Sequence, residues 1–174
     1  KIIKNVTPEE FKKALINQTF IDIKLSECLM CLEMGADELD VVMSLGYFLE
    51  GDYFTVFSEL QQIKEVAGDA RVKVILETGA LPSMEEIRLA SFLAMEAGAD
   101  FIKTSTGKID VAATPEALYV MCQAAKEYYE ATGRMVGIKP AGGMVNSFDA
   151  VYFYSIVEAV LGEKWLNNKW LRLG

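Results

Sequence analysis

The chain has 174 residues, 52% of them hydrophobic, and a formal net charge of −8 from 25 acidic and 17 basic side chains. That length supports one domain with a sizeable core rather than two. The acidic balance argues against a nucleic-acid or membrane-surface binder, which would carry a basic stripe, and no uncharged apolar run approaches the ~20 residues that cross a bilayer.

In chain order, Val6–Leu15 reads as a capped amphipathic helix, and the stretch around residues 15–18, at Ile16-Asn17, reads as a seam. The N-terminus has lysines but no apolar signal core, so export is not expected. Ile21–Met34 reads as a helix carrying a C-x-x-C at Cys28 and Cys31, a spacing that also places both on one helix face. With only Cys122 besides and no histidine in the chain, a zinc site lacks ligands and no metal is expected. The thiols read instead as buried core groups of a protein from a reducing compartment, the cytoplasm. The missing histidine also removes the usual proton carrier, leaving acid–base work to carboxylates, lysines or water.

The remaining elements alternate. Glu38–Met43 reads as a strand; Asp52–Val66 as a helix with its apolar face at Phe54, Phe57, Leu60 and Ile63; Val72–Glu77 as a strand; Met84–Ala97 as a helix. Then come a strand at Phe101–Thr104, a helix at Pro115–Thr132 opened by Thr114-Pro115-Glu116, and a strand at Val136–Lys139. Ser147–Leu161 reads as a helix, and Trp170–Leu173 as the beginning of a further strand. Glu33-Met34-Gly35-Ala36-Asp37 and Glu96-Ala97-Gly98-Ala99-Asp100 form an internal repeat, a glycine helix cap running into a strand. Strict alternation implies a parallel sheet covered by helices. The step between Asp40, Ile75, Lys103 and Lys139 is about 30 residues, the unit of a (β/α)8 TIM barrel of roughly 250 residues. The chain then holds five or six units, and the expectation is one barrel domain over residues 1–174 that lacks its first strands.

Strand periodicity puts Lys103 on one face with Phe101 and Ser105, Lys139 on one face with Gly137, and Asp40 opposite Leu39 and Val41. All three polar groups can converge at the carboxyl ends of adjacent strands. A lysine buried in a strand is expensive unless chemistry needs it, and a neutral amine beside a second positive charge is what attack on a carbonyl carbon requires.

The runs Glu38-Leu39-Asp40-Val41-Val42, Val74-Ile75-Leu76-Glu77-Thr78-Gly79, Phe101-Ile102-Lys103-Thr104-Ser105-Thr106-Gly107 and Gly137-Ile138-Lys139-Pro140-Ala141-Gly142-Gly143 resemble the deoxyribose-phosphate aldolase family, in the right order from about Gln18 to Gly174. The resemblance implies a class I, metal- and cofactor-independent aldolase that cleaves 2-deoxy-D-ribose 5-phosphate to glyceraldehyde 3-phosphate and acetaldehyde. It implies Lys103 as the Schiff-base lysine, Lys139 as the second lysine that keeps it neutral, and Asp40 as the carboxylate of the proton relay. It also implies phosphate or substrate binding at Thr104, Gly107, Lys108, Gly142 and Gly143. Two departures stand out: the family's first three strands are not visible, and Met144-Val145 follows the glycine pair where the family often has a polar or basic residue. Barrel aldolases of this type commonly pair, which leaves a homodimer open. Two other readings remain: a non-catalytic sugar-phosphate-binding fragment, and a lysine aldolase with a different donor.

Overall fold

The computed structural model describes residues 20–174; the helix expected at Val6–Leu15 and the seam at 15–18 lie outside them. The described elements are α1 (Ile21–Glu33), β1 (Glu38–Val42), α2 (Leu45–Leu49), α3 (Tyr53–Ala67), β2 (Arg71–Ile75), α4 (Met84–Glu96), β3 (Phe101–Lys103), α5 (Pro115–Thr132), β4 (Gly137–Lys139) and α6 (Ser147–Leu161). Short 3₁₀ turns at Thr78–Ala80 and Glu163–Trp165 complete them.

Local chemistry sets the helix boundaries. Asp52 caps α3 by accepting from the Thr55 N–H at 3.1 Å, Ser83 caps α4, and Thr114 caps α5 with Pro115 in its first turn. Asn146 and Asp149 form a reciprocal capping box on α6. The internal repeat is a repeated helix stop. Gly35 (φ 91°) donates to Leu32 while Ala36 reaches back to Cys31, and Gly98 (φ 103°) donates to Met95 while Ala99 reaches back to Ala94. Each is a Schellman closure, in which the residue after the last helical one must take a left-handed conformation that glycine adopts without steric cost.

The four strands are parallel and lie in the order β1-β2-β3-β4. An unbroken sequential order is that of a barrel wall, whereas a doubly wound sheet reverses its order at a switch point. One face, with Leu39, Val72, Val74, Ile102 and Ile138, joins Val56, Leu60, Ile63, Ala90, Leu118, Met121 and Val157 of the helices in a single apolar core. The other face carries the polar residues described below.

The segment expected as a further strand does pair with β4. An isolated parallel bridge joins Ile138 to Leu171, and Ile138 N–H to Trp170, Arg172 N–H to Ile138, Gly174 N–H to Pro140 and Gly142 N–H to Gly174 continue the pattern. Pro140 has no N–H to give, so the ladder is broken there and the pairing falls short of a regular strand.

Four expectations change. The buried face of α3 is Val56, Leu60, Ile63 and Ala67, while Phe54 stands in solvent, because the 3.6-residue stripe is centred one position off the one read from the sequence. Strand β2 ends at Ile75 instead of Glu77, since Glu77 is left-handed (φ 53°). Helix α2 was not anticipated. Cys28 and Cys122 are buried but Cys31 is exposed, so only two of the three thiols belong to the core; burial pushes the titration of both upward, that of Cys122 strongly.

Leu118 is fully buried between the sheet and its neighbouring helices. Leu118→Ala is expected to lower unfolding stability by about 2–5 kcal/mol, read from urea denaturation of the two proteins side by side.

Candidate active site

Parallel register builds the site in two layers on the polar face. Asp40 pairs across with Lys73, Lys73 with Phe101, and Phe101 with Gly137. One pleat nearer the carboxyl ends, Ile75 pairs with Lys103 and Lys103 with Lys139. Side chains two residues apart share a face, so the lower layer sends its carboxylate towards the amines of the upper one.

The structure brings Asp40, Lys103 and Lys139 together. Oδ2 of Asp40 accepts from Lys103 Nζ at 2.7 Å and from Lys139 Nζ at 2.7 Å. Its other oxygen, Oδ1, accepts from Lys73 Nζ at 2.9 Å. Lys73 is the deepest of the three, its side chain 5% exposed against 12% for Lys103 and 21% for Lys139. The two outer lysines therefore reach the open end of the cluster and Lys73 closes its floor.

A second carboxylate supports that floor. Glu38 Oε2 lies 2.7 Å from Lys73 Nζ, and its Oε1 accepts from Arg172 at 3.1 Å. The Arg172 guanidinium stacks over the Phe101 ring, 5.7 Å from its centre. Phe101 fits because its neighbour is glycine: a Cβ on Gly137 would stand 2.3 Å from the ring. The glycine beside Lys139 thus makes room for an aromatic side chain.

Burial alone would raise the Asp40 carboxyl, but hydrogen bonds from Lys103, Lys139 and Lys73 overcome it and hold the group well below the usual carboxylate range. Glu38 is likewise lowered, chiefly by its hydrogen bond from Lys73. Asp40 is accordingly an anion across the whole neutral range, able to orient amines and to accept hydrogen bonds.

The residues read as phosphate-binding form a rim beside the cluster. Gly107 (φ 76°) and Gly142 (φ 79°) belong to neighbouring turns, close enough that a Cβ on Gly142 would lie 3.9 Å from Gly107 Cα. Gly143 (φ 78°) follows, and Lys108 is exposed with no ion pair among the described residues. Two of the group are already committed. The Gly142 N–H donates to the Gly174 carbonyl at 2.6 Å. Thr104 is fully buried, accepting from the Ala141 N–H at 2.9 Å and donating to the Ala141 carbonyl at 3.3 Å. Thr104 therefore ties β3 to the turn after β4, while Gly107, Lys108 and Gly143 remain outward.

Lys73, Glu38 and Arg172 were not singled out from sequence. Lys73 carries the signal that marks Lys103 and Lys139, a lysine inside an apolar strand, but only the observed register, with β2 starting at Arg71, sets it across from Asp40. Arg172 carried none, because its place depends on the pairing of residues 170–174 with β4. Among the described residues no cluster of three or more metal-ligating side chains occurs, and no helix is long and apolar enough to cross a membrane.

A sequence model of the family described as DeoC/LacD family aldolase matches residues 9–161. Human deoxyribose-phosphate aldolase is 39% identical over 157 residues, covering 90% of this chain and 49% of the relative; the mouse enzyme is 40% identical over the same length and share. The chain spans about half the length of these curated relatives. Among solved structures, the tetrameric deoxyribose phosphate aldolase from Aeropyrum pernix superposes with a TM-score of 0.70 at 31% identity, over 81% of this chain and 56% of that one.

The depressed Asp40 carboxyl has a consequence for stability. A carboxyl lowered on folding contributes stability that is complete above its unfolded value and lost as pH falls through that value towards the folded one. From the ordinary value of 3.8 downward, the protein is expected to lose stability progressively, and Asp40→Asn to remove this component. Urea midpoints measured from about pH 7 to about pH 3 test it; equal acid slopes for the two proteins would count against the cluster.

Proposed function

Because this chain belongs to the DeoC/LacD family of aldolases, we propose that the lysine–aspartate cluster is the site of a class I cleavage of 2-deoxy-D-ribose 5-phosphate to D-glyceraldehyde 3-phosphate and acetaldehyde. The observation that carries the reading is the sharing of one Asp40 oxygen by Lys103 and Lys139, each at 2.7 Å. Lys103, as a free amine, adds to the substrate aldehyde carbon, and loss of water leaves an iminium. A base takes the proton from the C3 hydroxyl, the C2–C3 bond breaks, and its electrons move to the iminium nitrogen. Glyceraldehyde 3-phosphate departs and an enamine remains on Lys103. Protonation of the enamine carbon and hydrolysis of the imine release acetaldehyde and restore the amine.

The surrounding groups divide the other tasks. Asp40, anionic and touching both outer lysines, passes protons between them and water, and Lys139 is the cation that remains when Lys103 attacks. Lys73, held by both Asp40 and Glu38, fixes the carboxylate from below. Gly107, Lys108 and Gly143 on the adjoining rim suit the sugar phosphate, with Lys108 supplying charge and the turns supplying backbone N–H groups. Thr104 supports this rim from behind and Gly142 shapes it.

On the same footing we place the protein in the cytoplasm, where three free thiols fit a reducing compartment. We also read it as a homo-oligomer, the homodimer being the simplest form. Helix α6 presents Phe148, Val151 and Tyr152 to solvent on one side, an apolar surface of the kind that subunits cover.

Incubation with acetaldehyde, reduction with borohydride and peptide mapping is expected to place a single adduct on Lys103. Lys103→Leu is expected to remove the adduct and to lower kcat by about a thousandfold or more. Cleavage surviving that substitution, or an adduct on Lys139 instead, would sink the assignment.

A further inference from the structure

Glu77 is costly twice over. It is a non-glycine residue in the left-handed region, φ 53° and ψ 56°, and it is only 2% exposed while carrying a carboxylate. Neither feature persists unless the surroundings determine it. The ladder between β2 and β3 shows how the position arises. Leu76 N–H donates to the Lys103 carbonyl and Thr78 N–H to the Thr104 carbonyl. A regular parallel ladder advances two residues on both strands per repeat, but here the β2 side advances two and the β3 side one. The extra residue is Glu77, and the bulge turns its side chain towards the loop after β3, as bulges beside active sites do.

There both oxygens of the carboxylate are used by one residue. Oε1 accepts from the Thr106 N–H at 3.1 Å and Oε2 from the Thr106 hydroxyl at 2.5 Å. The Thr106 hydroxyl oxygen in turn accepts from the Lys108 N–H at 3.0 Å. Hydrogen bonds therefore run from Glu77 through Thr106 to the backbone of Lys108, with the left-handed Gly107 enclosed between the last two. The same turn grips the loop at a second point: a Cβ on Gly79 would stand 2.2 Å from the Val111 carbonyl oxygen, so only glycine permits this approach. The two buried side-chain hydroxyls without a partner among the described residues, Thr78 Oγ1 and Ser105 Oγ, lie in these same two segments. Polar groups are thus concentrated, at some cost, behind one loop.

We propose that Glu77 is a positioning residue for recognition of the substrate phosphate, holding the Thr106-Gly107-Lys108 loop in its anion-binding shape from the protein side; this rests on the aldolase reading above. Glu77 touches no substrate. Its carboxylate draws the Thr106 N–H inward and, through the Thr106 hydroxyl, sets the direction of the Lys108 peptide, which leaves Gly107 and Lys108 facing the rim. Such a residue governs the preference for a phosphorylated over an unphosphorylated sugar and leaves the chemistry at Lys103 untouched.

The test compares kcat/KM for 2-deoxyribose 5-phosphate and for 2-deoxyribose in the intact protein and in Glu77→Gln and Glu77→Gly. Gln keeps the size but not the charge; Gly suits the left-handed backbone and deletes the side chain. Both are expected to lower the ratio of the two kcat/KM values by about tenfold or more, the scale of a lost charge-assisted hydrogen bond, through KM for the phosphorylated sugar. An unchanged ratio, even with lower activity on both, would overturn the proposal and leave Glu77 with a role in folding alone. Should neither variant fold, Thr106→Val and Thr106→Ser decide: Val, which breaks the relay, must lower the ratio and Ser must retain it, and equal ratios in the two refute it. Labelling of Lys103 by acetaldehyde and borohydride keeps the two readings separate. Absence of label in the unsubstituted protein removes the Schiff-base reading, whereas normal label with an unchanged ratio removes Glu77 alone.

Discussion

One carboxylate, Asp40, holds three ammonium groups that would otherwise drive one another apart, and the polar face of the sheet is arranged around that constraint. Bringing three cations within hydrogen-bond distance of a single acceptor is tolerable only where the backbone leaves them little choice. Strand register supplies the compulsion: the amines of Lys103 and Lys139 sit on paired residues one pleat above Asp40, and Lys73 sits directly across from it. Glu38 then takes up the charge of Lys73 that Asp40 cannot meet, and Arg172 and Phe101 close the layer beneath. The carboxylate oxygens are consequently unequal. Oδ1 belongs to the buried lysine and the fold, Oδ2 to the two lysines that face the open end.

Depth separates scaffold from chemistry in the same way along the rest of the wall. Apolar residues alternate with this polar row on every strand, so the face that builds the site and the face that builds the core are specified by the same period of two. A slip of one residue in the pairing of β3 with β4 would send Lys103 or Lys139 into the helices and Ile102 or Ile138 into the site. Thr104, hidden behind the row, clamps β3 to the turn after β4 with two hydrogen bonds, which protects the alignment of Lys103 with Lys139 where the strands end.

Much of this was legible in the sequence because it depends on local rules. The helix start at Thr114-Pro115, the repeated glycine stops, and the alternation that sets Asp40, Lys103 and Lys139 on one face all follow from neighbours a few residues apart. What escaped depends on partners distant in the chain. Glu38 meets Arg172 across 134 residues, and Gly137 shows its purpose only once the Phe101 ring is beside it. The apolar face of α3 lies one position off the stripe through Phe54, Phe57, Leu60 and Ile63, because Phe54 is a strong hydrophobe whose exposure only packing reveals, whereas Phe57 is half-buried against the core. Glu77 looked like a strand residue, since no pattern in the run Val74-Ile75-Leu76-Glu77-Thr78 announces a bulge.

The bulge also explains why the two halves of the proposed site can be tuned apart. Lys103 is the last residue of β3, and the loop that contains Thr106, Gly107 and Lys108 starts immediately after it, so a regular ladder would carry any movement of the loop straight back into the row of Asp40, Lys103 and Lys139. Instead the β2–β3 pairing changes register at Glu77, and from that point the loop is fixed by a side-chain carboxylate and by the close contact at Gly79. The strand below keeps its backbone ladder, and its alignment is set by Asp40 and Thr104. On the proposed reading, recognition of an anion and formation of a carbon–nitrogen bond rest on separate sets of contacts within a few residues of one another, and changes to one set need not disturb the other.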